Sequence, residues 1–315
     1  MPYNSYNNVR NEGNMPTQEL LVKNLKVSFA TPVKELVAVR GISYQLNQGE
    51  TLALVGESGC GKTVSALSIL RLIEEPPGKI MGGEILFNGK DLLKLTKREL
   101  QVHRGKDIAM VFQDPTQSLN PVKRIGKQFV IVLQKRFGYS IKRACLEACD
   151  WLDKVQISNP DNILNRFPHQ LSGGQMQRIM IAISMAVKPE FLIADEATTA
   201  LDANIKLEII ELINSLRNEM NTTVLFISHD LLIARRYCDR IAVMNKGRIV
   251  EINKTIDIFS HPKHVYTKTL ICGLHKLMGK SHKKEEQAEK KILMSVKNIK
   301  KTYTANKENL SLIHI

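Results

Sequence analysis

The chain has 315 residues, 43% of them hydrophobic, and a formal net charge of +14. That length allows one large domain or two modest ones with a true apolar core. No run approaches the roughly 18 uninterrupted apolar residues of a spanning helix, and five scattered cysteines, at 60, 145, 149, 238 and 272, do not form a disulfide framework. A reducing compartment fits such cysteine usage. A basic surface attracts nucleic acid or anionic lipid. Here the lysines are dispersed, and the charge is read as solvated faces.

Residues 1–18 are polar and lack the apolar segment of a secretory signal, so they are read as a disordered tail. "VKNLKVSF" (residues 22–29) has the pattern of a first strand. "TLALV" (51–55) is a short β-rich apolar run, predicted to be a buried strand. "VSALSILRLI" (64–73) places apolar residues at helical spacing. Between strand and helix stands "GESGCGKT" (56–63), which fits the phosphate-loop pattern at every fixed position.

The chemistry of that loop follows from its residue types. Gly56, Gly59 and Gly61 let the backbone curl so that N–H groups point at phosphate oxygens, with Glu57, Ser58 and Cys60 between them. The following helix aims its positive end at the same point. Lys62 is a flexible cation for β- and γ-phosphates, the Thr63 hydroxyl suits Mg²⁺, and Val64 continues the loop into the helix. ATP and Mg²⁺ are the expected cofactors. Cys60, beside Lys62 and the helix end, is expected to favour its thiolate.

Farther on, "CLEAC" sets Cys145 and Cys149 one helical turn apart. No second Cys/His pair has matching spacing, so the pair is read as one helix face rather than half a metal site. "LSGGQMQR" (171–178) puts Ser172, Gly173, Gly174 and Gln175 at the start of a helical pattern, a second anion site. "FLIADE" (191–196) reads as a buried parallel strand ending in two carboxylates. Asp195 is placed to hold the Mg²⁺ shell, and Glu196 to polarise a water. Two phosphate cradles are needed if two copies face each other head to tail.

These residues resemble the ATP-binding cassette (ABC) ATPases over about residues 19–274. The motifs run in family order: "GESGCGKT" as the Walker A loop, Gln113 in "VFQDPTQSLNP" as the Q-loop, "LSGGQ" as the signature and "FLIADE" as Walker B. "TALD", with Leu201 and Asp202, matches the D-loop, and His229 in "FISHD" matches the switch histidine. The resemblance implies an α/β fold. It has a P-loop NTPase core with a mostly parallel sheet, an N-terminal antiparallel β subdomain and an α-helical signature subdomain at about 115–175. It implies that two domains sandwich two ATP molecules, each between one Walker A loop and the other domain's signature. By the same resemblance Glu196 is the general base, and His229 holds the γ-phosphate and water. Gln113 links Mg²⁺ to the membrane partner, while Phe29 stacks on adenine. The alternative for Phe29 is a core strand residue. The family usually has Pro where Ala197 stands, and commonly a basic residue at Met176.

"GESGCGKTVSALSILRLI", "FQDPTQSLNP" and "FSHPKHVYTKTL" (259–270) are close to the wording of dipeptide, oligopeptide and nickel importer ATPases. The implied partners are transmembrane permease subunits, a second ABC ATPase domain and, indirectly, an extracytoplasmic solute-binding protein. No nucleic acid is expected. The implied location is peripheral, on the cytoplasmic side of the inner membrane. A soluble ABC ATPase acting on ribosomes or DNA and an exporter ATPase are the alternatives.

"VKNIKKTY" (296–303) repeats "VKNLKVSF", with four of eight positions identical and Tyr303 in the place of Phe29. Residues 275–292 are read as a charged linker, and 293–315 as the start of a second, truncated cassette, since fused double cassettes occur in this subfamily.

Overall fold

The computed structural model describes residues 18–196, 203–279, 300–302 and 312–314. The expected tail (apart from Gln18), Ala197 and the D-loop with Leu201 and Asp202 lie outside the described residues. So do most of the expected linker, Val296 and Tyr303. The chain forms two compact units, residues 1–271 and 272–315.

The first unit holds two sheets. β1 (Gln18–Ala30), β2 (Glu35–Asn47), β4 (Gly78–Phe87) and β5 (Lys90–Asp91) form an antiparallel sheet in the order β2-β1-β4-β5. β2 alternates buried and exposed residues along its second half, as a sheet covered on one face requires. The other sheet runs β10-β9-β3-β8-β7-β6. It comprises β3 (Thr51–Val55), β6 (Ile108–Val111), β7 (Phe191–Asp195), β8 (Thr223–Ser228), β9 (Arg240–Asn245) and β10 (Arg248–Lys254). All its neighbours pair in parallel except β9 and β10. β3, β6, β7 and β8 are buried along their whole length. Their near-continuous apolar runs are what strands covered on both faces need. The expected strands at 51–55 and 191–195 stand as predicted, and the predicted fold class is the observed one.

The helices are α1 (Lys62–Ile69), α2 (Lys97–His103), α3 (Pro115–Ser118), α4 (Ile125–Phe137), α5 (Ile141–Lys154) and α6 (Pro160–Leu164). They continue with α7 (Gly173–Ala186), α8 (Ala203–Met220), α9 (Leu231–Tyr237), α10 (Thr255–Ser260) and α11 (Val265–Gly279). α3 to α6 lie between β6 and α7 in the chain and carry the helical subdomain. α4 buries Ile125, Phe129 and Leu133, and α5 buries Ala144, Ala148, Trp151 and Leu152. Both sets recur at helical spacing, and the two helices pack on each other. Gly138, at φ 69°, ends α4, and the Ser140 hydroxyl accepts the Arg143 N–H to start α5. Cys145 and Cys149 are both half-buried on α5. Among the described residues no three His, Cys, Asp or Glu side chains are grouped to hold a metal.

Two elements depart from expectation. The helix expected over 64–73 begins at Lys62 and ends at Ile69. Beyond it Arg71 sits at φ 48°, and the Arg104 guanidinium takes the carbonyls of Leu70 and Arg71. The linker expected from 275 is helical at its start, because α11 runs on to Gly279. In the second unit, β11 (Lys300–Thr302) pairs antiparallel with β12 (Leu312–His314), matching Lys300 with His314 and Lys301 with Ile313.

One carboxylate joins the two sheets of the first unit. Glu19 on β1 is buried, and its carboxylate accepts the hydroxyl of Thr223 on β8. That hydroxyl in turn accepts the Gly49 N–H at 2.8 Å. Burial pushes Glu19 from 4.5 up to about 7, against the Thr223 bond and helped by nearby Glu190. The folded chain therefore holds this proton more tightly than the unfolded chain between these values. Stability contributed here is present below about pH 4.5 and lost as pH rises toward 7. Glu19→Gln should remove that loss, raising stability at pH 8 by roughly 1–3 kcal/mol and changing little at pH 4.5. Thermal melts of both proteins across that range check it, and parallel pH profiles would refute it.

Candidate active site

In the parallel sheet β3, β8, β7 and β6 are consecutive, so their C-terminal ends form one edge. Each end delivers a loop with functional side chains, at the place where an open α/β sheet binds ligands. The loop after β3 is the phosphate loop. Two of its glycines are there for close approach. A Cβ on Gly56 would stand 2.1 Å from the Met244 carbonyl. Gly61, at φ 105°, caps α1, and a Cβ there would lie 2.6 Å from the Ala38 carbonyl. α1 has no side-chain cap, and first-turn N–H groups of a helix have no intrahelical acceptor. They are thus available to an anion, favoured there by the helix dipole.

Lys62 is only 4% exposed. Its ammonium donates to the carbonyls of Gly56 at 2.8 Å and Glu57 at 2.9 Å. It also lies 3.9 Å from Glu196 Oε1. Glu196 follows β7 at φ 42°, a left-handed conformation uncommon for a residue other than glycine. Its N–H donates to the Ile227 carbonyl at 3.1 Å, tying it to β8. Two more loops reach the same carboxylate. Gln113, just after β6, donates its amide to Glu196 Oε2 at 3.4 Å. His229, just after β8, sets Nδ1 3.5 Å from that oxygen. Glu196 thus joins side chains of all three neighbouring loops.

Asp195 ends β7 and is buried, accepting the Thr63 hydroxyl at 3.1 Å. Burial pushes its carboxyl up to about 6, against the Thr63 bond, with Glu196 adding to the rise and Lys62 opposing it. A pair of hard oxygens thus lies beneath the phosphate loop.

These groups border a cleft of 310 Å³ lined by Ser58, Gly59, Lys62, Thr63, Gln113 and Glu196, among others. Val64 and half-buried Phe29 also line it. Of the expected residues, Gly56, Glu57 and Cys60 form the loop behind, and His229 and Asp195 reach the cleft through Glu196 and Thr63. The signature residues do not line it. Ser172 caps α7, with its hydroxyl accepting the Gln175 N–H at 3.3 Å, and the Gln175 side chain accepts the Ser172 N–H at 3.1 Å. Gly173 and Gly174 are the first two residues of that helix.

One expectation is corrected. Cys60 is buried, and burial raises its thiol above the ordinary value despite the charge of Lys62 and the nearby N–H groups. The thiolate is disfavoured because desolvation outweighs the cation.

The sequence reading missed Leu36 and Ala38, which line the cleft beside Phe29, and Gly78. A Cβ at Gly78 would stand 2.9 Å from the Phe29 ring. Spacing carries no signal for these, because sheet pairing brings them together. It also missed Tyr266, whose hydroxyl accepts the Glu57 N–H at 3.3 Å.

The ABC transporter family model matches residues 39–199. Over 258 residues the chain is 46% identical to the oligopeptide transport ATP-binding protein OppD of Bacillus subtilis, covering 82% of this chain and 72% of that one. The chain belongs to the ABC transporter family. Its ATP-binding cassette is thus an ATPase. It is also 42% identical over 285 residues to the peptidoglycan transport ATP-binding protein YejF of Agrobacterium fabrum. That alignment covers 90% of this chain but 52% of YejF, so the chain spans about half of that relative. A dimeric cassette, MJ0796 in a post-hydrolysis state bound to ADP and Pi, superposes with a TM-score of 0.67 at 27% identity. It covers 75% of this chain and 98% of that one. Among the described residues no helix is long and apolar enough to cross a membrane.

Removing the buried cation should empty the cleft. Lys62→Ala is expected to weaken ATP binding by at least about tenfold, as loss of a charge-assisted contact of roughly 1.5–3 kcal/mol implies. Titration with a fluorescent ATP analogue measures it, and unchanged affinity would remove the cleft as the phosphate site.

Proposed function

We propose that this chain is the ATP-hydrolysing subunit of an importer for peptides or similar small solutes. The observation that carries this reading is the meeting of Lys62, Gln113 and His229 on Glu196. Similarity to an oligopeptide transport protein supplies the solute class.

In this reading the phosphate loop cradles the phosphates and the Phe29 ring borders the adenine. Lys62 leaves its carbonyls for the β- and γ-phosphate oxygens. Glu196 accepts a proton from the attacking water, and its tie to β8 fixes where that water stands. His229, at the mouth of the site, contacts the γ-phosphate. Gln113 connects Glu196 to the helical subdomain through the loop that enters α3. The Thr63 hydroxyl, the Asp195 carboxylate and the Gln113 amide are hard oxygen donors, and a Mg²⁺ ion shared with phosphate oxygens suits them. When bound, that ion neutralises phosphate charge.

The signature at the head of α7 is turned to a second cassette, whose own signature would complete this cleft. Permease subunits would be the membrane partners, with a solute-binding protein outside and this chain on the cytoplasmic face. A second, larger cleft of 530 Å³ shares no residue with the ATP cleft and is lined by Arg98, Arg104, Lys106, Lys135 and Arg136. It gives an acidic permease segment a basic surface to dock on.

We also infer that residues 293–315 begin a second cassette. In the first unit β1 and β2 match Lys26 with Arg40 and Val27 with Val39. One and the same shift in residue number carries these pairs onto Lys300 with His314 and Lys301 with Ile313. Two of the three pairs thus follow the register of β1 and β2, which supports copies of one hairpin. The third, Thr302 with Leu312, departs from it, because β1 shifts register there and pairs Ser28 with Val37. Reading the source gene past codon 315 tests it. A second glycine-rich phosphate loop in frame supports the inference, and a frame without one removes it.

Glu196→Gln should retain ATP and lose at least about a hundredfold in turnover, the usual scale for general base catalysis. In cells it should also abolish uptake of oligopeptides. Single-turnover hydrolysis and labelled-peptide uptake measure the two. Normal hydrolysis would refute the base, and normal uptake with lost hydrolysis would refute the importer.

A further inference from the structure

We propose that Tyr266 is a positioning residue of the phosphate loop, through which the segment after β10 holds that loop ready for ATP. The inference rests on the cleft being the ATP site. It adds a residue that lies outside the matched family region at 39–199.

The peptide between Glu57 and its neighbours is held from two sides. Its carbonyl accepts Lys62 Nζ at 2.9 Å, and its N–H donates to the Tyr266 hydroxyl at 3.3 Å. The two holds differ in permanence. Lys62 is the cation that must turn to the phosphates, and on turning it leaves the Glu57 carbonyl to the Cys60 N–H, a contact of 3.3 Å within the loop itself. The Tyr266 hydroxyl has no such duty. It remains as the fixed point that keeps the loop from following the lysine.

Tyr266 can act as a fixed point because its own backbone is anchored. α11 begins at Val265, and the residues before it are clamped by Glu251 of β10. One oxygen of Glu251 accepts the Lys263 N–H at 2.8 Å, and the other accepts the His264 N–H at 2.9 Å. The Tyr266 N–H donates to His264 Nδ1 at 3.1 Å. Burial would raise Glu251, but these N–H groups prevail and hold it below its ordinary value, so the clamp stays charged. Burial chiefly raises the Tyr266 phenol, which stays neutral and able to accept. β10 lies at the edge of the sheet next to β9, which pairs with β3. The brace therefore runs from the sheet that carries the phosphate loop, through Glu251 and Tyr266, back to the loop.

Loss of a loop brace weakens ground-state and transition-state binding together, so it raises KM and spares kcat. Tyr266→Phe removes one hydroxyl and keeps the ring. It should raise KM for ATP about three- to tenfold, the worth of one neutral hydrogen bond. It should change kcat less than about twofold and leave the melting temperature within about 2 °C. Glu251→Gln loosens the clamp without touching Tyr266 and should raise KM in the same direction. The double variant should resemble the worse single variant, because both act through one contact. Steady-state hydrolysis by all three, beside Lys62→Ala, is the experiment. Unchanged KM in Tyr266→Phe, or equal loss of kcat and kcat/KM, overturns the proposal. If Lys62→Ala binds ATP normally, the ATP site itself is misplaced and the failure lies there. Full additivity in the double variant removes the path through Glu251.

Discussion

An ammonium with almost no contact with water needs oxygen atoms around it, and the site is organised by that demand. Burying an unpaired charge costs several kcal/mol, so Lys62 must be surrounded by acceptors. The phosphate loop curls to present the carbonyls of Gly56 and Glu57, and Glu196 approaches from the end of β7, beyond β8 in the sheet. That curl is open only to glycine where Gly61 passes the Ala38 carbonyl. Glu196 is held in turn by a left-handed backbone and a bond to Ile227, which aligns β7 with β8. The curl of the loop and the approach of Glu196 thus answer one electrostatic requirement. Phosphate oxygens can replace the carbonyls as partners of the lysine.

Much of this was legible in the chain because it depends on local chemistry. Short apolar runs such as "TLALV" and "FLIAD" suit doubly covered strands, and the glycines of "GESGCGKT" permit a cradle of N–H groups. Ser172 was read at the start of a helix, and α7 does start there, with the hydroxyl engaged by Gln175 in a capping box. What stayed hidden depends on contacts between distant residues. The end of α1 was misread because Arg104, far along the chain, takes the carbonyls of Leu70 and Arg71 just past it. Cys60 was misread because neighbouring charge is visible in sequence whereas burial is not. Leu36, Ala38 and Tyr266 join the site through sheet pairing and a returning helix, and no spacing rule reaches them.

The helical subdomain has a separate logic. Its helices α4 and α5 have apolar stripes facing each other, and its entry from β6 passes directly through Gln113. Gln113 is bonded to Glu196, so the first residues of the subdomain's stalk are in touch with the carboxylate that Lys62 and His229 also approach. Movement of one is felt by the other through a single amide. Ser172 stands at the far end of the same insertion, just before α7, and so the insertion begins at the cleft and ends at the capped head of that helix.

The capping box at Ser172 has a consequence for assembly. A helix end without a partner frays, and ordering it on contact would be an entropic toll on association. Here the hydroxyl takes the Gln175 N–H and the glutamine side-chain oxygen takes the Ser172 N–H, which fixes how α7 starts. The surface that would meet a neighbouring nucleotide is finished before the neighbour arrives. Two cassettes can then join as preformed bodies, at a speed set by collision and orientation rather than by the winding of a helix.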